Sequence, residues 1–239
     1  MPAVKYDLIY RKIREHIETL KYPAGSWLPS EHQLIQQYEC SRNTVRRAIR
    51  QLADEGYVQS VHGKGVMVIY RRGIHAQFSI GGVESLKEAA RRNGLSLRTK
   101  VIRFEEITVD EELAEKTGFS VGDEVYYLQR VRYLNDEAMI LDHNYFLKRI
   151  ARNLTAQIAE GSVYEYLEKV LGETIVTTRR QYTVERETQL DTEYLDMHGY
   201  NCLLVVTNQT FNKEGVMFEY THSRHRPDQF VFYELAQRK

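Results

Sequence analysis

Residues 28–50 read LPSEHQLIQQYECSRNTVRRAIR, and the fold of the first part of the chain can be predicted from them. Ser30 can cap a helix, with Gln33 at the position of a capping-box partner. Ser41 can cap a second, longer helix after a short turn. One face of that second helix is apolar and carries Val45, Ala48, Ile49 and Leu52. The stretch therefore predicts a helix-turn-helix.

The other face of the second helix is basic and polar and carries Arg42, Asn43, Arg46, Arg47 and Arg50. In a DNA major groove, arginine can pair with guanine edges and asparagine with adenine edges. Taken alone, however, an arginine-rich amphipathic helix is more often a solvated surface than a reader of DNA.

A two-stranded wing is predicted next, because two β-prone runs, residues 57–60 and 66–69, flank the turn His62-Gly63-Lys64-Gly65. Gly56 can end the preceding helix in the left-handed conformation. The turn glycines let the backbone approach a phosphate closely, and Lys64 supplies a positive charge. A Gly-Lys-Gly turn alone is more often just a hairpin, but helix and wing in this order favour DNA binding.

A first amphipathic helix is predicted for residues 6–20, whose apolar face carries Ile9, Ile13, Ile17 and Leu20. We expect this face to cover the back of the helix-turn-helix. We also expect Trp27, which follows a break at Pro23 and Gly25, to lie in the core.

These motifs resemble the winged helix-turn-helix of the GntR family of bacterial transcription regulators. The resemblance is carried by residues 28–31 (LPSE), 41–48 (SRNTVRRA) and 63–65 (GKG). The family often has a phosphate-contacting arginine where this chain has His32, so a contact from His32 would depend on pH. Helix, wing and resemblance together predict DNA contacts from His32, Ser41, Arg42, Asn43, Thr44, Arg46, His62, Gly63 and Lys64.

The 239 residues are enough for two domains, and the zero net charge is unevenly distributed. Residues 1–72 hold 12 Lys and Arg against 7 Asp and Glu, whereas residues 73–239 hold 21 against 26. A basic first part and an acidic second part are typical of a DNA-binding domain fused to a sensor. We therefore predict a DNA-binding domain at 1–72, a linker at 73–79 and an effector-binding domain at 80–239.

The two cysteines, Cys40 and Cys202, fall one in each predicted domain, which argues against a disulfide framework and indicates a reducing cytoplasm. No apolar run approaches the length of a membrane span, and no signal peptide is expected. We expect a cytoplasmic protein with no membrane partner, no metal and no cofactor.

The second part of the chain predicts an antiparallel sheet with helices on it, an α+β fold. Strands are expected at 98–109, 124–134, 137–145, 175–187, 203–211 and 216–225. Tight turns are expected at Asn135-Asp136 and at residues 213–215. Short helices are expected after the capping residues Ser85, Asp110, Ser162 and Asp191, with Ser162 and Glu165 forming a capping box.

This part resembles the effector-binding (UTRA) domain of the HutC branch of the GntR family, which has the chorismate-lyase fold. The matching residues are 130–132 (RVR), 139–142 (MILD), 161–166 (GSVYEY) and 218–221 (FEYT). Residues 220–230 (YTHSRHRPDQF) look particularly similar to repressors of trehalose operons. The resemblance implies a phosphorylated sugar as effector, and trehalose 6-phosphate in particular.

The residue types fit such an effector. Arg130 and Arg132 alternate on one strand and so face the same side, and two buried guanidinium groups need an anion. Ser162 begins a helix, where backbone N–H groups favour a phosphate. We predict a phosphate cradle formed by Ser85, Arg130, Arg132, Ser162 and Tyr164. We expect the sugar hydroxyls to bond with Asp142, Glu219 and His225.

A second interpretation of the same residues is structural. Arg130 and Arg132 could pair with Asp142 and Glu219 as ion pairs on an exposed sheet face. The residues alone leave the two interpretations even, and the resemblance favours the ligand. His222 and His225 are three apart, a spacing that sends strand side chains to opposite faces, so a shared metal ion is not expected.

The preferred function is a repressor that binds a near-palindromic double-stranded operator as a homodimer, with its dimer contact in the Tyr-rich second part. A phosphosugar would relieve operator binding. A different phosphosugar or a small acid is the alternative effector. An enzyme is the alternative class because the expected fold is shared with a lyase, but no nucleophile–base pair is legible. An all-helical, metal-binding second domain is disfavoured by the predicted hairpins.

Overall fold

The structure is a computed structural model in which residues 5–70, 76–79, 83, 85–228 and 230–233 are described. The chain divides into two compact units, the first mainly the residues up to 74 and the second mainly residues 83–231. Each unit has its own hydrophobic core.

The first unit is a three-helix bundle followed by a hairpin. Its elements are α1 (Lys5–Glu18), α2 (Glu31–Tyr38), α3 (Arg42–Asp54), β1 (Val58–Val61) and β2 (Gly65–Val68). The two strands pair antiparallel. The apolar face of α1 packs into the same core as α3, and the fully buried members are Ile9, Ile13, Val45, Ala48, Leu52 and Val68. The winged helix-turn-helix is confirmed.

The predicted helix caps of this unit and the glycine after its third helix are confirmed. Ser30 and Gln33 form a reciprocal capping box at the start of α2, and the Ser41 side chain caps α3 by accepting from the Thr44 backbone. Gly56 follows α3 with φ +78°. The expectation for Trp27 is wrong, because 45 % of this residue is exposed. Its backbone forms a bridge to Met67, so the indole lies beside Gly65, which has no side chain to cover it.

The second unit follows strand β3 (Ala76–Ser79). It comprises α4 (Leu86–Asn93), β4 (Leu97–Thr108), α5 (Glu111–Thr117), β5 (Glu124–Leu134), β6 (Glu137–Leu147), α6 (Ala156–Ala159), α7 (Val163–Lys169), β7 (Ile175–Arg186), α8 (Gln189–Tyr194), β8 (Cys202–Asn212) and β9 (Met217–His225), followed by a last strand, β10 (Phe230–Tyr233); β3 and β10 each lie partly in both units. Six of these strands form one antiparallel sheet in the order β4-β5-β6-β9-β8-β7. The α+β class is therefore confirmed.

The predicted linker at 73–79 lies only partly within the described residues. Its residues 76–79 form β3, which pairs with β10 in a separate two-stranded sheet. Residues 73–75 lie outside the described residues, so the domain boundaries at 72 and 80 stay a prediction.

The tight turns and most caps are confirmed. Asn135 and Asp136 both have positive φ, +50° and +68°, and join β5 to β6, while Gly215 with φ +73° lies between β8 and β9. Ser85 forms a capping box, and Asp110 caps α5.

Two cap predictions need correction. Asp191 is not the cap of α8, because Thr188 takes that position and Asp191 is its buried capping-box partner. Asp191 instead accepts a hydrogen bond of 2.9 Å from Arg224 Nε. Ser162 caps α7, but the side chain of Glu165 does not complete the box. It pairs with Lys87 and Lys169, two lysines that compete successfully for the carboxylate.

The polar face of the large sheet, which carries Arg130, Asp142, Asn144, Thr221 and Ser223, bears the predicted effector residues. Cross-strand register places Arg130 opposite Asp142, Asp142 opposite Ser223 and Asn144 opposite Thr221, so these side chains share one face. The opposite face carries Tyr127, His143, Tyr145, Tyr220 and His222. His222 pairs with His143, whereas His225 pairs with Ile140, so the two histidines face opposite sides as predicted.

Among the described residues, no helix is long and apolar enough to cross a membrane. The same residues contain no group of three His, Cys, Asp or Glu side chains that could hold a metal ion. Cys40 and Cys202 are free thiols in different units.

Candidate DNA-binding surface and effector site

The predicted DNA contacts lie on the surface of the first unit. All are exposed except Thr44, which is half-buried. The hydroxyls of Ser41 and Thr44 lie 2.8 Å apart at the start of α3. His62, Gly63 and Lys64 lie in the turn between β1 and β2, so α3 and the wing offer two separate contact elements. At Gly63 a β-carbon would meet open space, and the glycine is required by the positive φ of +72°.

Glu31 joins two of the predicted base-reading arginines. Its carboxylate accepts 2.9 Å hydrogen bonds from Arg42 Nε and from Arg46 Nε. Hydrogen bonds from Arg42 and Arg46 hold the pKa of Glu31 below its ordinary value. Each guanidinium has four further N–H donors, which can still reach a guanine edge or a phosphate. The sequence interpretation missed this role of Glu31, which lies in the first turn of α2.

Arg47 differs from its neighbours on α3. Its guanidinium carbon lies 3.8 Å from the centroid of the Tyr6 ring, a close cation–π contact. This contact ties α3 to the beginning of α1. Arg47 is therefore held by the protein itself, whereas Arg42 and Arg46 share one half-buried carboxylate.

Arg130 and Arg132 are both buried on the polar face and share Asp142. Arg132 Nε donates to Asp142 at 2.8 Å and Arg132 Nη1 donates to Thr99 at 2.8 Å. The Asp142 carboxylate also accepts a short hydrogen bond from Ser223. Burial alone would raise the pKa of Asp142, but Arg132, Arg130 and the bond from Ser223 hold it below its ordinary value, so the carboxylate is ionised.

Arg130 is much less well compensated. Its Nη2 lies 3.9 Å from the Asp142 carboxylate, its Nε donates to the Asn144 side chain at 2.7 Å, and its Nη1 is 3.4 Å from the Ala159 carbonyl. Burial, together with the charge of Arg132, lowers the pKa of Arg130 to about 9. Asp142, and after it Glu219, act to raise this pKa, but they do not offset the effects of burial and Arg132, so the Arg130 guanidinium is incompletely compensated.

A chain of hydrogen bonds connects Arg130 to the helix above the sheet. Asn144 donates to Thr221 at 2.7 Å, Thr221 donates to Glu219 at 2.7 Å, and Tyr164 donates to Glu219 at 2.6 Å. Burial, and then the charge of Glu219, raises the pKa of Tyr164 well above its ordinary value. Tyr164 therefore stays a neutral hydroxyl that can donate.

The two predicted serines lie at helix starts that approach each other. Lys87 in the first turn of α4 pairs with Glu165 in the first turn of α7, Nζ to Oε2 at 2.6 Å. Ser85 caps α4, and Ser162 caps α7 by accepting from the Glu165 backbone at 3.2 Å. Among the described contacts, neither serine bonds Arg130 or Arg132.

His225 lies on the polar face, in register with Ile140 and Leu204. Its ring meets the Phe230 ring edge-on, with centroids 4.7 Å apart. Burial lowers the pKa of His225 to about 4, although Asp142 acts in the opposite direction. His225 is therefore a neutral ring at physiological pH.

The structural interpretation of the arginines is only partly right. Arg132 does pair with Asp142, but the sheet face is buried, and the hydrogen bonds of Glu219 come from Tyr164 and Thr221. The sequence interpretation missed four polar residues of this face: Thr99, Asn144, Thr221 and Ser223. Asn144 is two residues from Asp142, Thr221 two from Glu219 and Ser223 two from His225, and this spacing was a usable signal for these three.

Comparison with known proteins agrees with this geometry. Residues 5–68 match the family described as bacterial regulatory proteins, gntR family, and residues 92–231 match the UTRA domain. The chain belongs to the GntR family. It carries the UTRA effector domain of the HutC branch, so it is a transcriptional regulator with a DNA-binding first domain and a small-molecule effector domain.

Its relatives in the GntR family are regulators and not enzymes. The HTH-type transcriptional regulator TreR of Bacillus subtilis (strain 168) is 37 % identical over 238 residues, which cover 100 % of this chain and 99 % of the relative.

Two solved structures match as well. The possible transcriptional regulator YydK from B. subtilis covers 98 % of this chain and 100 % of its own with a TM-score of 0.83, at 24 % identity, which supports the fold. The effector binding domain of the B. subtilis trehalose repressor (TreR) covers 59 % of this chain and 99 % of its own, with 34 % identity and a TM-score of 0.54.

Proposed function

We propose that this GntR-family regulator acts in the cytoplasm as a repressor of a trehalose uptake and utilisation operon. Trehalose 6-phosphate is proposed to bind the polar face of the effector domain and to relieve operator binding. The observation that carries the proposal is the buried and incompletely neutralised Arg130 beside Arg132. The similarity to a relative named trehalose repressor supports the choice of sugar.

The charge balance supports a phosphate. The Asp142 carboxylate lies 3.9 Å from Arg130, so an anion in closer contact would reduce the cost of burying this guanidinium. Both arginines can form charge-assisted hydrogen bonds with phosphate oxygens, which are stronger than neutral ones. Ser85, Ser162 and Tyr164 add hydroxyl and backbone donors from the helices beside the sheet.

The remaining polar groups of the face support a sugar. Asp142 and Glu219 are acceptors, Asn144 is both donor and acceptor, and Thr221 and Ser223 carry hydroxyls. Sugar hydroxyls donate and accept, so a mixed array of this kind can satisfy them. His225, neutral because of its burial, can serve either role.

The test is a binding panel with the full-length protein and four ligands: trehalose 6-phosphate, trehalose, glucose 6-phosphate and inorganic phosphate. Trehalose should bind at least about 100-fold more weakly than trehalose 6-phosphate, because the arginines would be left without their anion. Arg132→Ala should bind trehalose 6-phosphate more weakly by the same factor. Arg103→Ala, on an exposed arginine of β4 that pairs with Glu105, is the control and should bind normally.

The same variants can be followed on an operator fragment selected in vitro with the wild-type protein. Trehalose 6-phosphate should release wild type from this DNA, while Arg132→Ala should stay bound. Release of Arg132→Ala at the wild-type ligand concentration would show that the arginines are structural. If another phosphosugar or small acid binds tightly, that compound would be the effector in place of trehalose 6-phosphate.

The homodimer and the near-palindromic operator belong to the same proposal. A two-fold dimer would present two identical recognition helices to the DNA. We place the dimer contact in the effector domain, whose large sheet has long strands and a Tyr-rich face. Deletion of residues 1–72 should leave a dimer in analytical ultracentrifugation, and a monomer would contradict this placement.

A further inference from the structure

The polar face continues past the predicted site to the edge of the sheet. In the register row that begins with Arg130 on β5, the following positions are Asp142, Ser223, Val206 and Tyr182. The neighbouring row carries Asn144, Thr221, Asn208 and Arg180. None of the three residues Arg180, Tyr182 and Asn208 was predicted from the sequence as a site residue. Strand β7 is an edge strand that pairs only with β8 within the sheet.

The width of this face exceeds what one sugar ring needs. Four strand-to-strand steps separate Arg130 from Tyr182, which at ~4.8 Å a step amounts to about 19 Å. A hexose phosphate spans about two such steps. With its phosphate on Arg130 and Arg132, a single ring would end over β6 and β9, and a second ring would lie over β8 and β7.

The side chains over β8 and β7 suit a sugar ring. Half-buried Tyr182 offers a flat aromatic surface beside Val206, and a pyranose ring has an apolar face that can lie against it. Next to them, Arg180 Nε donates to the Asn208 side chain at 3.1 Å, so polar groups stand at the side of the aromatic surface. Together they offer one apolar contact and several hydrogen-bonding groups.

Arg180 is also electrostatically connected to the predicted phosphate cradle. Burial and Glu219 raise the pKa of Tyr164, whereas the charge of Arg180 acts in the lowering direction. The hydroxyls of Thr178 and Thr210, 3.2 Å apart, continue the hydrogen-bonded chain from Tyr164 to β7. This chain joins Tyr164 to the strand that carries Arg180 and Tyr182.

We infer that Arg180, Tyr182 and Asn208 form a second-ring subsite, which makes this effector domain selective for a phosphorylated disaccharide over a phosphorylated monosaccharide. The inference rests on the proposed phosphosugar function. It assigns the discrimination to strands β7 and β8 and leaves the phosphate to β5. These three residues are specificity determinants and not part of the anion site.

The test is calorimetric titration of the full-length protein with trehalose 6-phosphate, sucrose 6-phosphate and glucose 6-phosphate. Wild type should bind at least one disaccharide phosphate ten-fold or more tightly than glucose 6-phosphate. Arg180→Ala, Tyr182→Leu and Asn208→Ala should each reduce that preference at least five-fold and change glucose 6-phosphate binding less than two-fold. Arg179→Ala is the matched control, because the exposed Arg179 is adjacent in sequence and faces the other side of the sheet.

The possible outcomes are distinct. Equal loss for mono- and disaccharide phosphates in all three variants would overturn the inference, because the residues would then serve the phosphate or the fold. Glucose 6-phosphate binding as tightly as both disaccharide phosphates would overturn the subsite and leave the phosphosugar sensor standing. A preference for sucrose 6-phosphate would support the subsite and contradict trehalose 6-phosphate as effector. Binding of no sugar phosphate would overturn both proposals.

Discussion

The two domains contain the same arrangement of charges in opposite surroundings. In the DNA-binding domain, Glu31 accepts from Arg42 and Arg46, whose side chains are 66 % and 57 % exposed. In the effector domain, Asp142 is shared by Arg130 and Arg132, whose side chains are 5 % and 9 % exposed. Two arginines share one carboxylate in both places.

Exposure makes the two arrangements behave differently. Water can replace Glu31 around Arg42 and Arg46, so these arginines can leave it for DNA at little cost. No water replaces a missing partner around the buried arginines, so the incompletely compensated Arg130 favours an anion of fixed position. In the DNA-binding domain the two arginines can therefore exchange their carboxylate for DNA, whereas in the effector domain they need an anion of fixed position.

The largest effect should come from removing the buried carboxylate. Asp142→Ala leaves both arginines without it and should lower the free energy of unfolding of the effector domain by about 3–5 kcal/mol. Urea unfolding followed by far-UV circular dichroism measures this loss. The fluorescence of Trp27, the single tryptophan, follows the DNA-binding domain and should keep its midpoint. A loss under about 1 kcal/mol would mean that the arginines are solvated or are compensated by Glu219.

The next effect concerns the exposed arginines on DNA. Arg46→Ala should weaken binding to the selected operator by about 1–3 kcal/mol and to random DNA by less, if Arg46 reads a base. Arg11→Ala, on a 74 % exposed arginine of α1, serves as the control. Equal losses on both DNAs, measured by fluorescence anisotropy at one salt concentration, would show that Arg46 contacts phosphate only.

A smaller effect should appear in the pH dependence of the stability of the effector domain. The pKa of His225 is lowered to about 4 by burial, and the unfolded state has an ordinary value near 6.5. As the pH falls below 6.5, the unfolded chain gains a proton that the native His225 does not. Stability should therefore fall by about 1.5 kcal/mol between pH 6.5 and 5.

His225→Gln should remove this part of the slope, measured by urea unfolding at each pH. His143 should keep a similar part in that variant, since burial and His222 lower its pKa to about 4. An unchanged slope in His225→Gln would mean that His225 is solvated in the native state.

The smallest effect on stability should come from removing Glu31, whose side chain is 33 % exposed. Glu31→Ala should change the stability of the DNA-binding domain by less than about 1 kcal/mol, and less still at high salt. Trp27 fluorescence measures it directly against Asp142→Ala. A loss as large as that of Asp142→Ala would contradict the distinction between the two arrangements.

The sequence was sufficient wherever local chemistry decides the structure. Ser30, Ser41 and Ser85 cap helices, and Asn135-Asp136 turns a hairpin, because these effects involve only a few neighbouring residues. Prediction failed where tertiary partners compete. Glu165 pairs with Lys87 of another helix, and Trp27 forms a bridge to Met67 at the edge of the wing. Asp191 was misassigned for a local reason, because Thr188 takes the cap position and Asp191 completes its capping box.

The predictions for the effector site succeeded and failed in the same way. The alternation of Arg130 and Arg132 was enough to place them on one face. The sharing of Asp142 and the contact with Asn144 depend on strand register, which a single sequence does not specify. Arg180, Tyr182 and Asn208 were missed because β7 and β8 reach the site only through the strand order.

Strand β9 has a consequence for how such sensors can diversify. Seven of its eight residues from 218 to 225 are buried, so substitutions along nearly the whole strand should cost stability. Only Glu219, Thr221, Ser223 and His225 lie on the polar face, where we propose that the ligand binds. In a saturation library of β9, substitutions at almost every position should therefore lower protein abundance. Effector preference, in contrast, should change only at every second position. New ligand specificities are open to alternate positions, and the positions between them can change only as packing permits.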